Sequence, residues 1–306
     1  MSSFPRTAAL STALAFGASF AYSLLEPYRL VVRRFDVAFD NLPAEVDGLR
    51  IAQLSDLHCS AITPPTVLRR AIEVCNEQHA DVVVLTGDYI SRRDSYSRFS
   101  GARTGARPVM DYAEAAAREI KNLRAPEGVY AVPGNHDHTN GSFEAIELML
   151  RQANITPLVN ASTRLRDVLP LVGVDDLRAG TLNLPKAMRG VPAQAAQIIL
   201  SHNPRILPLL TGRTCLILSG HTHAGQVHLP LTNFRMRPAD MGHSPLFQGW
   251  YHEGQARLYV NSGVGSVHFP MRFRCPPEVV VFTLRRATEA VFGKHDHTGH
   301  SQLHGH

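Results

Sequence analysis

The stretch "GLRIAQLSDLH", residues 48–58, decides the fold class of this chain. The segment from Leu49 to Leu54 has the length and apolar character of a buried strand, and it stops at Ser55-Asp56-Leu57-His58. An apolar strand that ends directly in polar side chains is typical of α/β proteins, where functional groups follow the carboxyl ends of the strands.

Four further stretches repeat this pattern of an apolar run that ends in polar side chains. They are "DVVVLTGD" (81–88), "GVYAVPGNHDH" (128–138), "AQIILSHNP" (196–204) and "TCLILSGHTH" (214–223). The first of them is apolar on successive residues, as expected for a strand that is covered on both faces. Because strand ends collect at one edge of an α/β sheet, we expect the polar clusters to meet there.

Helical patterns lie between these strands. The sequence Thr63-Pro64-Pro65 predicts a helix start, with the threonine hydroxyl as the cap and proline in the first turn. The buried stripe of that helix is predicted to be Val67, Leu68, Ala71, Ile72 and Cys75. Further helices are predicted at 111–123 and 143–152, and strands at 29–42, 155–159 and 169–176. The C-terminal part is predicted to be all β, with a hairpin at 250–260 and a closing strand at 278–284.

Composition sets broad limits on the function. The chain has 306 residues, of which 44% are hydrophobic, so it can bury a sizeable core. A formal charge of +5 favours anionic partners without choosing among them. The 4 cysteines form no CxxC pair, which argues against a zinc ribbon or a disulfide scaffold. Histidine is abundant, with 16 in the chain, and the C-terminal ones are His295, His297, His300, His304 and His306.

The N-terminal segment from Thr7 to Leu25 carries no charge. As a helix it would span about 28 Å, close to the roughly 30 Å of a bilayer core. An uncleaved membrane anchor, a signal peptide and a short buried helix are the alternatives, and an anchor is favoured by its length and flanks. Arg29, Arg33 and Arg34 make the following flank basic, which would favour a cytoplasmic catalytic part but leaves the topology open. We therefore expect a membrane-associated protein, at the inner membrane.

The polar clusters contain side chains of the types that bind metals: Asp56, His58, Asp88, Asn135, His202, His221 and His223. Carboxylate or amide oxygens combined with imidazoles, without thiolates, suit Mn, Fe, Zn or Co better than calcium. The set is larger than one tetrahedral ion needs, and two ions that share a bridging carboxylate would use every ligand.

Spacing supports convergence of these side chains. In extended backbone, residues two apart point to the same side, so the Asp-x-His and His-x-His pairs are each expected to reach one small region. Glycines at positions 87, 134 and 220 directly precede polar groups, where we expect the backbone to turn sharply.

The order of these motifs resembles the calcineurin-like metallophosphoesterase superfamily. The motifs are Asp56-Leu57-His58, Gly87-Asp88, Gly134-Asn135-His136-Asp137, His202 and Gly220-His221-Thr222-His223. Within it, "EPYRL" (26–30), "LVGVDDL" (171–177) and "RCPPEVVVFTL" (274–284) are similar to the bacterial subgroup of phosphodiesterases that are often tethered near a membrane. The likeness covers roughly residues 45 to 284.

The resemblance implies an α/β fold, a four-layer α/β/β/α sandwich of two mixed sheets with a dinuclear metal site at the strand ends. It implies a first ion held by Asp56, His58 and His223, a second held by Asn135, His202 and His221, and Asp88 as the bridge together with a hydroxide. Two divalent ions are expected, with Mn favoured over Fe, Zn and Mg. His136 would be the catalytic residue, donating a proton to the leaving oxygen or stabilising charge on phosphorus.

Three positions depart from the family pattern. Protein phosphatases carry an aspartate three residues after the bridging one, to orient the catalytic histidine, and here that residue is Ser91. This argues against protein phosphatase activity. Ala224 replaces a glycine, and Ser262 replaces an arginine, which points to a different substrate if that arginine holds phosphate.

We expect three parts in the chain: an N-terminal anchor or signal-like segment at 1–28, a metallophosphoesterase domain at 29–286 and a disordered histidine-rich tail at 287–306. The loop at 91–108 contains Arg92, Arg93, Arg98, Arg103 and Arg107. It is either a lid for an anionic substrate or lipid headgroup or a solvated insertion, and the insertion is favoured. Trp250 and Tyr251 are expected to pack in the hairpin, and no nucleic-acid partner is expected because no aromatic and basic stripe is present.

The expected function is metal-dependent hydrolysis of a phosphoester, a phosphodiester rather than a phosphoprotein, by a hydroxide that two metal ions activate. The resemblance suggests a lipid-linked nucleotide diester such as UDP-2,3-diacylglucosamine, a substrate that an anchored enzyme would meet at the bilayer. The alternative is a non-catalytic metal-binding or scaffold protein on the same fold. The complete set of ligand types and His136 argue against that alternative.

Overall fold

A computed structural model describes residues 4–91, 109–139, 143–229 and 241–287, together with 232, 234–236 and 238. The arginines of the predicted loop, at 92–107, and the histidines of the predicted tail, at 295–306, lie outside the described residues. The helices of the described part are α1 Phe4–Leu25, α2 Pro65–Asn76, α3 Val109–Ile120, α4 Asn135–Thr139, α5 Phe143–Gln152 and α6 Leu184–Ala187.

One sheet contains the strands from the two ends of the fold and from its N-terminal half. They are β1 Val31–Phe39, β2 Arg50–Leu54, β3 Val82–Leu85, β4 Val129–Ala131, β5 Thr156–Pro157 and β12 Glu278–Arg286. Their spatial order is β1-β12-β2-β3-β4-β5. The strands from β2 to β5 run parallel, whereas β12 is antiparallel to β2 and parallel to β1. The carboxyl ends of β2, β3 and β4 therefore lie side by side.

The other sheet is also mixed. Its strands are β6 Ala161–Leu165, β7 Leu169–Gly173, β8 Gln197–Leu200, β9 Cys215–Ser219, β10 Gly249–Glu253 and β11 Ala256–Val260. Their order is β10-β11-β9-β8-β7-β6, with parallel pairing from β11 to β7 and an antiparallel strand at each edge. The predicted hairpin is β10 and β11, and Trp250 packs there against Phe35, Tyr259 and Phe282.

Alternating side chains explain why the central strands are apolar throughout. Val82 and Val84 point into an apolar layer between the two sheets, which also contains Leu216 and Leu218. Their neighbours point outward, and Val83 packs in the layer under α2, α3 and α5. In the described part of the chain, the outer face of the second sheet is covered by short segments, among them α6 and the 3₁₀ turn Pro204–Leu210. The predicted α/β/β/α sandwich is confirmed, with one thin outer layer.

One local prediction was wrong. Thr63 does not cap α2, because Pro64 occupies the N-cap position without a side-chain bond. The Thr63 hydroxyl instead accepts a hydrogen bond from the Ser266 amide at 2.9 Å, and so joins two loops. The polar residues after β4 form the short helix α4, which begins at Asn135.

The N-terminal helix α1 stands out from the body of the protein. Phe16 is 75% exposed and Leu25 is 67% exposed, whereas Ser23 and Glu26 are buried at the docked end. Among the described residues, no helix combines the length and apolar character that a membrane crossing requires.

Candidate metal centre

The seven predicted ligands follow strands of both sheets at the same edge of the sandwich. Asp56 and His58 follow β2, Asp88 follows β3, and Asn135 comes after β4. From the facing sheet, His202 follows β8, and His221 and His223 follow β9. The His221 amide donates to both oxygens of Asp56, at 3.1 and 3.0 Å, and so ties the two sheets together at the site.

Asp56, His58 and His223 form what we call the first ligand group, and all three are buried. The His223 Nε2 atom lies 3.3 Å from Asp56 Oδ1 and 3.0 Å from His58 Nε2. One potential ligand atom from each residue lies within 4.8 Å of the others. These atoms thus surround a space of the size that one ion needs.

Asp88, His202 and His221 form the second ligand group, which is equally buried. His202 Nε2 lies 3.2 Å from Asp88 Oδ2 and 3.2 Å from His221 Nδ1. The same Asp88 oxygen lies 3.4 Å from His58 Nε2 in the first group. Asp88 Oδ2 therefore lies between the two groups.

Electrostatics favour cations at this place. Burial alone would raise the pKa of the Asp88 carboxyl, but His202 and His136 hold it well below its ordinary value. Burial likewise opposes ionisation of Asp56, yet His223 and a bond from His58 lower the pKa of its carboxyl. Burial lowers the pKa of His202, but the charge and hydrogen bond of Asp88, together with the charges of Asp56 and Asp176, raise it well above its usual range. Two buried carboxylates thus attract positive charge into the space between the imidazoles.

Two further observations fit a metal. The His202 Nδ1 atom lies 2.8 Å from the Thr86 carbonyl oxygen and must donate to it, so Nε2 is the nitrogen that faces Asp88, and it carries either a proton, in agreement with the raised pKa, or a metal ion in its place. A lone pair that faces a carboxylate is favourable only with a cation or proton between them. The Asn135 side-chain oxygen is buried without a hydrogen-bond partner in the described part of the chain. Such an orphaned oxygen is costly unless an ion binds it.

Each imidazole of the first group also has a partner behind it. Ser91 Oγ lies 2.6 Å from His58 Nδ1, and the Gly265 carbonyl oxygen lies 3.2 Å from His223 Nδ1. Partners of this kind fix the orientation of ligating histidines. The residue that departs from the protein-phosphatase pattern therefore contacts His58.

Backbone geometry corrects the reasoning from extended strands. The pairs converge because residues adopt the left-handed region, with φ of 50° at Asp56, 45° at His58, 75° at His221 and 50° at His223. This conformation costs side-chain-bearing residues about 1–2 kcal/mol each. The packed loops of the rim hold this strain at the site.

The three glycines also need separate explanations. Gly87 has a φ of 91°, which agrees with the predicted sharp turn. Gly134 and Gly220 do not show a positive φ, so a left-handed backbone does not account for glycine at these two positions. A Cβ atom on Gly134 would lie 2.2 Å from Asp88 Oδ1, and close approach is the reason for glycine there.

Asp137 is a site residue to which the sequence analysis assigned no role. It is buried in α4, and its Oδ2 accepts bonds from the amides of Asp88 and Gly134, both at 2.8 Å, while Oδ1 accepts from Tyr89 at 2.9 Å. Burial and the nearby Asp88 charge raise the pKa of its carboxyl to about 7. Asp137 joins the loop after β3 to α4. Its place in the quoted Gly134–Asp137 motif was the available signal.

His136 lies beside the ligand groups and is half-buried. Its amide donates to Asp88 Oδ1 at 2.8 Å, and its ring centroid lies 4.9 Å from that of His58. Burial lowers the pKa of His136 to about 4, with Asp88 opposing and His58 adding to the shift. The ring is therefore neutral at neutral pH and offers an N–H for hydrogen bonding.

Arg272 is a second residue that the sequence did not single out. Its side chain is fully buried behind the first ligand group. The guanidinium donates to the carbonyls of Ser262 (2.9 Å), Cys275 (2.9 Å), Gly263 (3.2 Å) and Gly265. It thereby holds the loop whose Gly265 carbonyl contacts His223.

The docked end of α1 reaches this same segment. The Ser23 carbonyl accepts from the Arg272 amide at 2.9 Å, and the Glu26 carboxylate accepts from the Cys275 amide at 3.4 Å. The Tyr22 hydroxyl in turn donates to Glu26 at 3.0 Å. The N-terminal helix is thus bonded to the segment that contains Arg272, and Arg272 in turn holds the Gly265 carbonyl that contacts His223.

An open cavity of about 450 Å³ gives access to the ligand groups. Asp88, Asn135, His136, His221 and His223 contribute to its floor. Its remaining walls are formed by Thr139, Arg178, Thr222, Gly225, Gln226, Met236, Pro238, Val267 and His268. The predicted ligands in this lining are therefore accessible to a small molecule. The other three, Asp56, His58 and His202, do not line the cavity.

Comparison with known proteins agrees with the geometry. The sequence profile of the calcineurin-like phosphoesterase family matches residues 49–225. The uncharacterized metallophosphoesterase YkuE of Bacillus subtilis is 28% identical over 280 residues, covering 89% of this chain and 92% of its own. The phosphodiesterase YaeI of Escherichia coli is 30% identical over 241 residues, covering 77% and 82%. A transmembrane protein with metallophosphoesterase domain from Danio rerio is 29% identical over 269 residues, covering 82% of this chain and 56% of its own.

Proposed function

Because the chain belongs to the calcineurin-like phosphoesterase family, we propose that it hydrolyses phosphodiesters with two divalent metal ions at the rim of its sandwich. The observation that carries the proposal is the position of Asp88 Oδ2, 3.4 Å from a nitrogen of the first ligand group and 3.2 Å from one of the second. A carboxylate in that position suits two ions better than one.

In this proposal the first ligand group binds one ion. Asn135 joins His202 and His221 at the other ion, where its orphaned oxygen gains a partner, and Asp88 is shared. When bound, the pair supplies Lewis acidity at the phosphoryl oxygens and lowers the pKa of a water. The mixed oxygen and imidazole donors favour manganese, with iron, zinc and magnesium as the competing ions.

The residues of the chain contribute orientation and hydrogen bonding. His136 lines the cavity beside Asp88 and Asn135, where its neutral imidazole donates a hydrogen bond to the leaving oxygen or to a phosphoryl oxygen. Asp137 holds the amides of Asp88 and Gly134 and so keeps the bridge and α4 in register. Ser91 is occupied by His58, so it does not orient His136 as the aspartate of protein phosphatases does.

A diester is favoured over a phosphoprotein as the substrate class, and the name of the relative YaeI supports it. The substrate we favour is a lipid-linked nucleotide diester such as UDP-2,3-diacylglucosamine. The exposed apolar side chains of α1, including Phe16 and Leu25, would associate with the membrane and bring the cavity to such a lipid. Flotation of the full chain with liposomes, compared with Phe16→Ser, tests this association.

The test of the enzyme uses the full chain reconstituted with Mn²⁺ and assayed on bis(p-nitrophenyl) phosphate and p-nitrophenyl phosphate. We expect turnover of the diester, with His136→Ala lowering kcat by about 100- to 10,000-fold while the metal content stays unchanged. Full metal occupancy without turnover in the wild type would favour the non-catalytic metal-binding or scaffold protein instead.

A further inference from the structure

We propose that Arg178 binds a phosphate oxygen of the substrate and thereby sets the preference of the cavity for anions. This inference rests on the proposed hydrolase function. Arg178 lies on the loop after β7, in a part of the chain to which neither the motif sequence nor the comparisons assign a role. Its side chain reaches the cavity from the wall, whereas the ligand groups lie at the floor.

The composition of the cavity is the first argument. Among the described residues that line it, Arg178 is the one lysine or arginine. Asp88 is the one carboxylate among the same lining residues, so a guanidinium on the wall adds attraction for an anion at a distance from the floor. A guanidinium offers donors in a planar fork that matches the oxygens of a phosphate.

The loop that carries Arg178 is built to hold its backbone in place. The buried Asp176 accepts from the Arg178 amide at 2.9 Å and from the Ala179 amide at 2.8 Å. Asp175 accepts from the amides of Asp176 (2.9 Å) and Thr181 (2.7 Å). These bonds fix the turn, while the side chain of Arg178 itself stays exposed.

The same loop is locked to the helix that carries His136. His138 Nε2 in α4 lies 2.7 Å from Asp175 Oδ1, and both side chains are largely buried. Gly180 allows this approach, since a Cβ atom there would lie 2.2 Å from the same Asp175 oxygen. The backbone of Arg178 is therefore held in a fixed position relative to α4, which carries Asn135 and His136.

Arg272, the guanidinium behind the first ligand group, does not reach the cavity. Arg272 is fully buried, and its guanidinium donates to carbonyl oxygens of its own segment. Arg178 is the exposed guanidinium that the described part of the chain directs to the cavity.

The experiment compares wild type with Arg178→Met, Arg178→Lys and a matched control, Arg189→Met, which removes an exposed arginine outside the cavity. All are full chains loaded with Mn²⁺. The measurements are kcat and KM, the inhibition constant of inorganic phosphate, metal content and Tm. One substrate has a single phosphate, bis(p-nitrophenyl) phosphate, and the other is a nucleoside diphosphate diester, UDP-glucose.

We expect Arg178→Met to raise KM and the phosphate inhibition constant by about 10- to 100-fold, the range of a lost bond to a charged group. Metal content, Tm and the Arg189→Met control should not change, and Arg178→Lys should restore part of the affinity. An equal rise with both substrates places the contact on the scissile phosphate, and a larger rise with the diphosphate places it on the second one. Unchanged KM and inhibition constants in an active Arg178→Met enzyme would overturn the inference, whereas an inactive wild type would overturn the proposed function.

Discussion

The two ligand groups lie side by side but have different supports. In the second group, His202 is held by the Thr86 carbonyl, which belongs to backbone directly after a central strand. In the first group, His58 is held by the Ser91 hydroxyl and His223 by the Gly265 carbonyl, which in turn depends on Arg272. Strand ends are rigid, whereas side-chain and loop supports open more easily. We infer that an ion at the first group exchanges faster than an ion at the second.

The largest effect on activity is expected from a change at Asp88, the residue that both ligand groups share. Asp88→Asn removes the negative charge that both groups share, so both ions should bind more weakly. We expect kcat to fall by at least about 1,000-fold, because several kcal/mol of charge stabilisation are lost. Elemental analysis after dialysis should give fewer than two ions per chain. Two tightly held ions in this variant would show that the carboxylate is not shared.

Arg272→Met removes the buried guanidinium that holds the loop behind the first ligand group. The variant removes the Arg272 donor from the carbonyls of Ser262, Gly263 and Cys275, at about 1–3 kcal/mol for each one that stays unpaired, and leaves the Gly265 carbonyl with His223 alone. We expect the free energy of unfolding to fall by about 3 kcal/mol in urea titrations. The ion at the first group should be lost before the ion at the second. Arg274→Met, which removes the exposed neighbouring arginine, is the control and should change neither.

Ser91→Ala tests the same group with a smaller change. His58 loses its hydrogen-bonding partner, and removal of such a partner weakens metal binding by about 10- to 100-fold. Competition with a chelator should show this loss for one of the two ions only. Thr86→Val is the matched variant, since it keeps the backbone carbonyl that holds His202 and should leave both affinities near the wild-type values. Equal weakening of both ions in Ser91→Ala would remove the distinction between the groups.

The smallest effect is expected on stability, from the ion pair of His138 and Asp175 on the side of the second ligand group. The bond from Asp175 raises the pKa of His138 above its ordinary value near 6.5, and His138 lowers the pKa of Asp175 although burial opposes this. Stabilisation from His138 is complete below about pH 6.5 and is lost as the pH rises through its raised pKa; that from Asp175 is lost as the pH falls below about 4.

The wild type should therefore exceed His138→Gln by about 1 kcal/mol in unfolding free energy near pH 5.5, and by less at pH 8.5. Denaturant titrations at the two pH values measure the difference. A gap that stays constant or widens with pH would show that the pair does not titrate as proposed.

The strand ends were accessible to prediction because burial imposes a readable pattern. The apolar runs at 82–85 and 215–219 stop where the sheets end, and polar residues there have to lie at the rim. The choice of Asp56, Asp88 and His221 as neighbours followed from that rule. Their left-handed backbone did not follow, because aspartate and histidine adopt this conformation more often than most residues but the sequence does not show at which positions they do so.

The residues that hold the metal ligands in place could not be predicted from the sequence, for a different reason. Arg272 and Ser91 act on histidines far away in the chain, and their role depends on which loops pack together. Asp137 was visible within a motif but carries no spacing signal that separates a ligand from a structural acceptor. Arg178 is one arginine among many, and only the cavity distinguishes it.

The docking of α1 has a practical consequence for anyone who handles this enzyme. Trimming the hydrophobic leader is a common step to improve yield, but here a cut after Tyr28 would delete Ser23 and Glu26, which cap the amides of Arg272 and Cys275. A shortened protein should bind metal less tightly at the first ligand group and show lower activity, although its catalytic side chains are intact. The N-terminal helix supports the metal centre from behind, and preparations should be compared only when they begin at the same residue.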